Sequence, residues 1–201
     1  MQNHTGLYIL LASGFSRRFG SPKLLHRLPS GNTIINTSVE ALQTSGCNFV
    51  VIIREDDVTL STHIDTLGAE VIKVTNAHKG LSSVIAEATS ILNLKQACWL
   101  GICLGDMPYI NPKTFTDLTR HISPTTIVRP RYQGIFGHPV LFGREYFDAL
   151  KKLRGDDGAK SIIKRSPSAL RSIDVDDPMV LYDIDRPDDL ATVAAPPVPA
   201  P

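Results

Sequence analysis

The chain has little of what would tie it to a special environment. Its three cysteines, Cys47, Cys98 and Cys103, are an odd number without Cys-x-x-Cys spacing, so neither a disulfide framework nor a thiolate zinc site is indicated. Cys98 and Cys103 fall in an apolar run and read as small buried hydrophobes. No stretch approaches the roughly 18 consecutive apolar residues of a membrane span, and residues 1–6 place no positive segment ahead of the first short apolar run. A cytoplasmic location is the expectation. Lys plus Arg number 21 against 20 for Asp plus Glu, a net charge of +1, which lacks the basic excess that non-specific nucleic-acid binding requires. Neither a nucleic acid nor a membrane is expected as a partner.

What is present is an ordinary globular composition. At 201 residues and 42% hydrophobic content the chain suits one sizeable domain, which at this length buries roughly 70% of its unfolded surface. That domain is expected over residues 1–193. The end, residues 194–201, has four prolines in eight residues and is expected to be a disordered tail.

Apolar periodicity orders the domain. Leu7–Leu11 and Phe49–Ile53 are five-residue apolar runs of the kind that form strands buried on both faces, and Ile34, Ile35, Val39, Ala41 and Leu42 between them have helical spacing. The alternation continues with a strand near Glu70–Val74, a helix near Leu81–Leu92, a strand over Cys98–Leu104 and a helix near Pro112–His121. Strands separated by helices imply a mostly parallel sheet covered on both faces. Two β-like stretches, Thr126–Tyr132 and His138–Phe142, flank the turn Gln133-Gly134 and suggest a mixed or antiparallel extension. Helices near Glu145–Leu153 and Ala159–Arg165 precede a last strand at Leu170–Val175 and the segment Leu181–Leu190.

Chemistry concentrates where an open α/β sheet presents its strand C-termini, the edge at which ligands bind. Residues 11–23, Leu-Ala-Ser-Gly-Phe-Ser-Arg-Arg-Phe-Gly-Ser-Pro-Lys, follow the first strand. Small residues at 12, 13 and 14 allow backbone N–H groups to approach an anion, while Arg18 and Lys23 add charge. The loop is neither a Walker A motif nor a Gly-x-Gly-x-x-Gly fingerprint. Asp106 ends the apolar run 98–104 and reads either as a metal ligand or as a helix N-cap. In Tyr182-Asp183-Ile184-Asp185-Arg186-Pro187, extended alternation places Asp183 and Asp185 on one side, although Asp185 also suits a cap for a helix opening at Pro187.

Residues 11–23 resemble the Leu-Ala-Ala-Gly-x-Ser-x-Arg-Met-Gly-x-x-Lys signature of the molybdenum cofactor nucleotidyltransferases, the molybdopterin cytidylyltransferases and guanylyltransferases. Leu11, Ala12, Gly14, Ser16, Arg18, Gly20 and Lys23 match in register, whereas Ser13 and Phe19 depart from it. Gly105-Asp106-Met107-Pro108 resembles the family's metal motif, and residues 183–190 its Asp-Ile-Asp-Thr-Pro-Glu-Asp-Leu segment, with Arg186 at the Thr position. Gly80-Leu81-Ser82-Ser83, Gly137-His138-Pro139-Val140-Leu141-Phe142 and Gly155-Asp156-Asp157-Gly158-Ala159-Lys160 resemble further family segments, so the likeness runs from residue 7 to residue 190 in family order.

The resemblance implies a Rossmann-like three-layer α/β/α nucleotidyltransferase fold with a mostly parallel sheet and a small antiparallel extension. It implies Mg²⁺ held by Asp106 and Asp185, with Asp183 in support. It also implies nucleotide contacts from Leu11, Ala12, Ser13, Gly14, Ser16, Arg18, Lys23, Gly80, Ser82 and Ser83, catalytic roles for Arg18, Lys23 and Asp106, and an acceptor side at His138 and Asp156. The implied reaction is transfer of CMP from CTP to molybdopterin with release of pyrophosphate, and the implied client a molybdenum hydroxylase. Ser13 favours CTP because the guanylyltransferase branch has glycine there. Other readings are a guanylyltransferase or another NTP transferase with a different phosphorylated acceptor, a nucleotide-binding cofactor chaperone, and an NAD(P)H oxidoreductase on the same scaffold.

Overall fold

The computed structural model describes residues 5–16 and 19–190. Arg18 and the proline-rich end, for which the sequence raised expectations, lie outside the described residues. The chain runs β1 (Gly6–Leu11), α1 (Ile34–Ser45), β2 (Phe49–Arg54), α2 (Val58–Asp65), β3 (Val71–Val74), α3 (Leu81–Ile91), β4 (Trp99–Leu104), α4 (Pro112–Thr119), β5 (Ile127–Tyr132), β6 (Ile135–Phe136), β7 (Val140–Gly143), α5 (Phe147–Lys151), α6 (Lys160–Arg165) and β8 (Leu170–Asp174). These strands form one eight-stranded sheet of order β3-β2-β1-β4-β7-β5-β6, with β8 paired to β5.

The expected three-layer α/β/α arrangement is present because the central strands are apolar on both faces. Tyr8, Leu10, Val51 and Ile53 point to one face, where α1, α2 and α4 contribute Val39, Leu42, Leu60, Ile64, Phe115 and Leu118. Their neighbours Ile9, Leu11, Val50 and Ile52 point to the other, against Val84, Ile85 and Ala88 of α3, Phe147 and Leu150 of α5 and Ile162 of α6. Two glycines let aromatic rings lie flat on the sheet: Gly6 pairs with Trp99 and Gly101 with Tyr8 across β1 and β4. The Tyr8 and Trp99 rings meet edge to face at 5.0 Å, and the Tyr8 hydroxyl donates to the Phe115 carbonyl at 2.8 Å.

The antiparallel extension is also present, in an order that the sequence does not announce. β7 inserts between β4 and β5, antiparallel to both, and β8 returns parallel to β5. Gln133 (φ 47°) and Gly134 (φ 84°) make the two-residue turn between β5 and β6, the left-handed pair that a tight hairpin requires. Helix α2 was not anticipated, since Val58-Thr-Leu-Ser-Thr-His-Ile-Asp is rich in β-branched residues. It forms because Asp57 caps it by accepting from the Leu60 N–H and because Leu60 and Ile64 reach the core. The helix expected near Glu145–Leu153 is shorter: a 3₁₀ turn at Arg144–Tyr146 leads into α5. Among the described residues no helix is long and apolar enough to cross a membrane.

Gly143 at the end of β7 provides a test of this packing. A Cβ there would overlap the backbone carbonyls of Ser123 and Pro124, which have no rotamer to yield. Gly143→Ala is expected to cost at least about 3 kcal/mol, read as a fall of about 6–12 °C in the thermal midpoint. A midpoint within 2 °C of wild type, roughly the effect of a neutral surface change, would contradict this packing.

Candidate active site

Sheet topology brings the two chemically suggestive segments together. In the order β3-β2-β1-β4, the chain leaves the C-termini of β1 and β4 side by side, with Leu11 paired to Leu104 and the Gly105 N–H donating to the Leu11 carbonyl at 2.9 Å. The cationic loop therefore begins next to Asp106, at the crevice where open α/β sheets take ligands. The Ala12 N–H still pairs with Ile52 of β2, after which Ser13 is nearly buried and Gly14 is exposed. An added Cβ at Gly14 would meet nothing within 4 Å, so this stretch of backbone faces open space. Ser16 (φ 51°) then turns the chain, its carbonyl accepting from Phe19 and Gly20 and its Oγ from the Lys23 N–H.

Lys23 does not reach out towards solvent. Its side chain is only 11% exposed, and Nζ lies 2.7 Å from Asp106 Oδ2 and 3.4 Å from Asp185 Oδ1. Carboxylate oxygens of Asp106, Asp183 and Asp185 come within 4.8 Å of one another. The expectation that Asp183 and Asp185 share a side is met, because Ile184 between them is fully buried in the core. Partial burial of the Asp183 carboxyl, then the charges of Asp106 and Asp185, raise its pKa above the usual carboxylate value, with Lys23 opposing. Among the described residues, three carboxylates meet one ammonium, an excess of negative charge.

The residues present fit a divalent cation. Asp106 Oδ1 is buried and, among the described residues, has no hydrogen-bond partner. An acceptor in that state costs free energy unless something positive meets it. Hard oxygen donors from separate parts of the chain suit Mg²⁺ or Mn²⁺, which take a few carboxylates plus phosphate and water.

Several residues that sequence reasoning did not single out hold this cluster. Ser38 of α1 donates to the Gly105 carbonyl at 2.9 Å, and the Ile184 N–H donates to the Asp106 carbonyl at 2.9 Å, so both neighbours of the Asp106 side chain are pinned. Asp189 accepts from the backbone N–H groups of Asp185 and Arg186 at 2.8 and 2.7 Å. Asp189 thus reaches back over the turn at Pro187, while the Asp185 carboxylate meets Lys23. Asp177 is buried and accepts from the Asn111 N–H, the Thr114 hydroxyl and the Met179 N–H, tying α4 to the turn that precedes Asp183. The acid-x-x-x-acid spacing of 185 and 189 was a visible signal for Asp189; Ser38 carried none.

Ser82, Ser83, Asp156 and His138 make contacts with other parts of the chain. Ser82 is 1% exposed and donates to the Gly158 carbonyl at 3.0 Å, while Ser83 donates to Lys79. The Ser82 hydroxyl is therefore turned inward and secures the 155–159 loop. Gly80 (φ 96°) is required there, since a Cβ would stand 2.7 Å from the Gly155 carbonyl and 2.8 Å from Asp156 Oδ1. Asp156 itself accepts from the Leu81 N–H at 2.9 Å and so caps α3 from a distant loop.

The His138 ring is also turned inward. Its backbone N–H donates to the Val180 carbonyl at 2.8 Å, and Nδ1 is buried without a partner among the described residues. Burial first, then the Arg129 charge, push its pKa down to about 4, with a hydrogen bond to the Ile102 backbone opposing and Lys160 adding to the depression. The unfolded chain therefore binds this proton more readily than the folded one. The stability contributed by the neutral ring is complete above the unfolded value of about 6.5 and is lost as pH falls from there towards 4. Between pH 7 and 5 the loss through His138 is expected to be about 2 kcal/mol. Urea unfolding at both pH values should show that difference shrinking in His138→Gln; an identical difference in the variant would exclude His138 as its source.

A parallel-centred sheet with a small-residue loop and a carboxylate cluster meeting at one crevice defines an α/β protein whose candidate site lies where such sheets take ligands. The chain belongs to the family described as the MobA-like NTP transferase domain, which matches residues 8–170. It is similar to the purine catabolism protein PucB of Bacillus subtilis (strain 168), with 24% identity over 193 residues, 90% of this chain and 92% of that protein. The crystal structure of Rv0371c from Mycobacterium tuberculosis H37Rv superimposes with a TM-score of 0.83 at 24% identity, covering 96% of this chain and 98% of that one. A structure of Rv0371c in complex with manganese gives 0.79 at 22% identity, covering 94% and 97%.

Proposed function

We propose that this protein transfers CMP from CTP to molybdopterin with release of pyrophosphate, using a divalent cation, Mg²⁺ in the cell. The observation that carries this reading is the meeting of Lys23, Asp106, Asp183 and Asp185 beside the 12–16 backbone. A complex of Rv0371c with manganese, on the same fold, supports the involvement of a divalent cation.

Asp106 and Asp185 would hold the cation, which when bound supplies charge neutralisation on phosphate oxygens. Asp183 supports Asp185 from the same extended segment. The backbone from Ala12 to Ser16, with Arg18, receives the triphosphate, and Lys23 carries positive charge between it and the carboxylates. An oxygen of the acceptor phosphate attacks the α-phosphorus as the bond to the β-phosphate oxygen breaks, and the bonding electron pair leaves with pyrophosphate. A phosphate monoester is largely ionised near neutral pH, so positioning and charge neutralisation suffice without a dedicated base. Ser13, which has a Cβ where the guanylyltransferases have glycine, favours a pyrimidine. The acceptor is assigned to the side carrying His138 and Asp156, and the product to a molybdenum hydroxylase client.

The test is to supply purified protein with Mg²⁺ or Mn²⁺, molybdopterin and each NTP in turn, and to measure pyrophosphate and the dinucleotide form of the cofactor. Turnover with CTP above the other NTPs is expected. Preference for GTP would move the reading to a guanylyltransferase, and absence of pyrophosphate with every NTP would remove the transferase reading.

A further inference from the structure

Arg54, the last residue of β2, stands at the mouth of the sheet but has no part in the transfer chemistry described above. Its side chain is largely buried, and carboxylates hold its guanidinium: Nε donates to Asp56 Oδ1 and Nη2 to Asp57 Oδ2, each at 3.0 Å. Asp57 is itself fixed, since its other oxygen caps α2 through the Leu60 N–H. The remaining arm, Nη1, donates to the Gly14 carbonyl at 2.9 Å, and the guanidinium carbon lies 4.7 Å above the Phe15 ring. The position of Arg54 is therefore set by the β2–α2 connection and imposed on the phosphate loop.

The consequence follows from peptide geometry. In a trans peptide the C=O and the N–H point to opposite sides. With its carbonyl drawn towards Arg54 at the end of β2, the Gly14–Phe15 peptide turns the Phe15 N–H away from Arg54. Gly14 has no Cβ and open space around it, so nothing at residue 14 itself resists the opposite orientation, which would present a carbonyl oxygen to an anion.

We propose that Arg54 is a positioning residue for the triphosphate: it fixes the orientation of the Gly14–Phe15 peptide so that an N–H rather than a C=O faces the phosphates. This rests on the NTP-binding reading of the loop but on neither the base nor the acceptor. A guanidinium suits the task because its planar fork satisfies two carboxylates and a carbonyl at once, whereas an ammonium holds fewer of them in fixed directions.

The test is direct binding of magnesium tripolyphosphate to the full chain by calorimetry. Arg54→Met, which keeps the aliphatic stem over Phe15 but no donors, is expected to raise Kd about tenfold, the worth of one charge-assisted hydrogen bond. Arg54→Lys is expected to raise it about threefold. With CTP, KM should rise by the same factors while kcat stays within about twofold, a split that loss of stability alone would not produce. A folded Arg54→Met protein that binds tripolyphosphate as wild type does would overturn the proposal. Should Arg54→Met not fold, Arg54→Lys decides by the same criterion. If tripolyphosphate affinity falls as expected but CTP is not turned over, the cytidylyl reading fails and this one stands.

Discussion

Asp106→Ala is expected to lower the rate of pyrophosphate release at least about 10³-fold while leaving the fold intact. Both effects follow from the environment of its oxygens. Oδ2 is paired with Lys23 at 2.7 Å, whereas Oδ1 is buried without a partner among the described residues. Removing the carboxylate deletes the most enclosed donor of the proposed cation site, so chemistry should suffer. It also deletes a buried unsatisfied acceptor, and Lys23 retains Asp185, so the thermal midpoint should move by no more than about 3 °C. Initial rates with saturating CTP and Mg²⁺, set beside a thermal melt, check both halves. Activity within about tenfold of wild type would show that the cluster is not the metal centre; a collapse in midpoint would show that Asp106 is structural.

Lys23→Met should produce an opposite pair of effects. Without the ammonium, Asp106 and Asp185 lose an ion-pair partner and repel each other and Asp183 more strongly, and the metal-free protein is expected to lose about 1–2 kcal/mol, less than a fully buried pair because Asp185 is 41% exposed. Mn²⁺ alone should then bind about tenfold more tightly than to wild type, because a competing positive charge has gone. Turnover should nevertheless fall about 10²-fold, since the charge that would face the phosphates has gone too. Calorimetry with Mn²⁺ in the absence of nucleotide separates the possibilities. Weaker metal binding in Lys23→Met would mean that Lys23 organises the carboxylates instead of competing for them.

Much of the architecture could be read from the chain. Leu7–Leu11, Phe49–Ile53 and Cys98–Leu104 announced buried strands because they are apolar without alternation, and the structure places them as β1, β2 and β4 at the centre of the sheet. Helix α1 was legible from its spacing, with Thr33 as its cap and Gly46 (φ 69°) ending it. Helix α2 escaped notice because its β-branched residues oppose a helix locally, and only the Asp57 cap and two core contacts reverse that preference. The insertion of β7 between β4 and β5 was equally hidden, since short strands carry no mark of which neighbours they will pair with.

The site divides in the same way. The 12–23 loop and the Asp residues stood out from composition and position at strand C-termini, and the structure brings Lys23, Asp106, Asp183 and Asp185 together. The Ser82 contact was not legible, since a serine at a helix start has the same sequence signature whether its hydroxyl faces a ligand or a backbone carbonyl, here that of Gly158. Arg54 gave no signal at all, because an arginine closing a strand is ordinary until its three arms have partners.

By itself, then, the sequence determined which segments are buried strands, where the cationic loop and the carboxylates sit along the chain, and that the chain builds a covered α/β sheet. Only the tertiary structure decided that Lys23 turns inward to carboxylates 83 and 162 residues away along the chain, and not outward to solvent. The reason is physical: hydrophobic periodicity is a local property that survives in one dimension, whereas the partner of a charge is chosen by which strand ends the sheet order brings within a few ångströms.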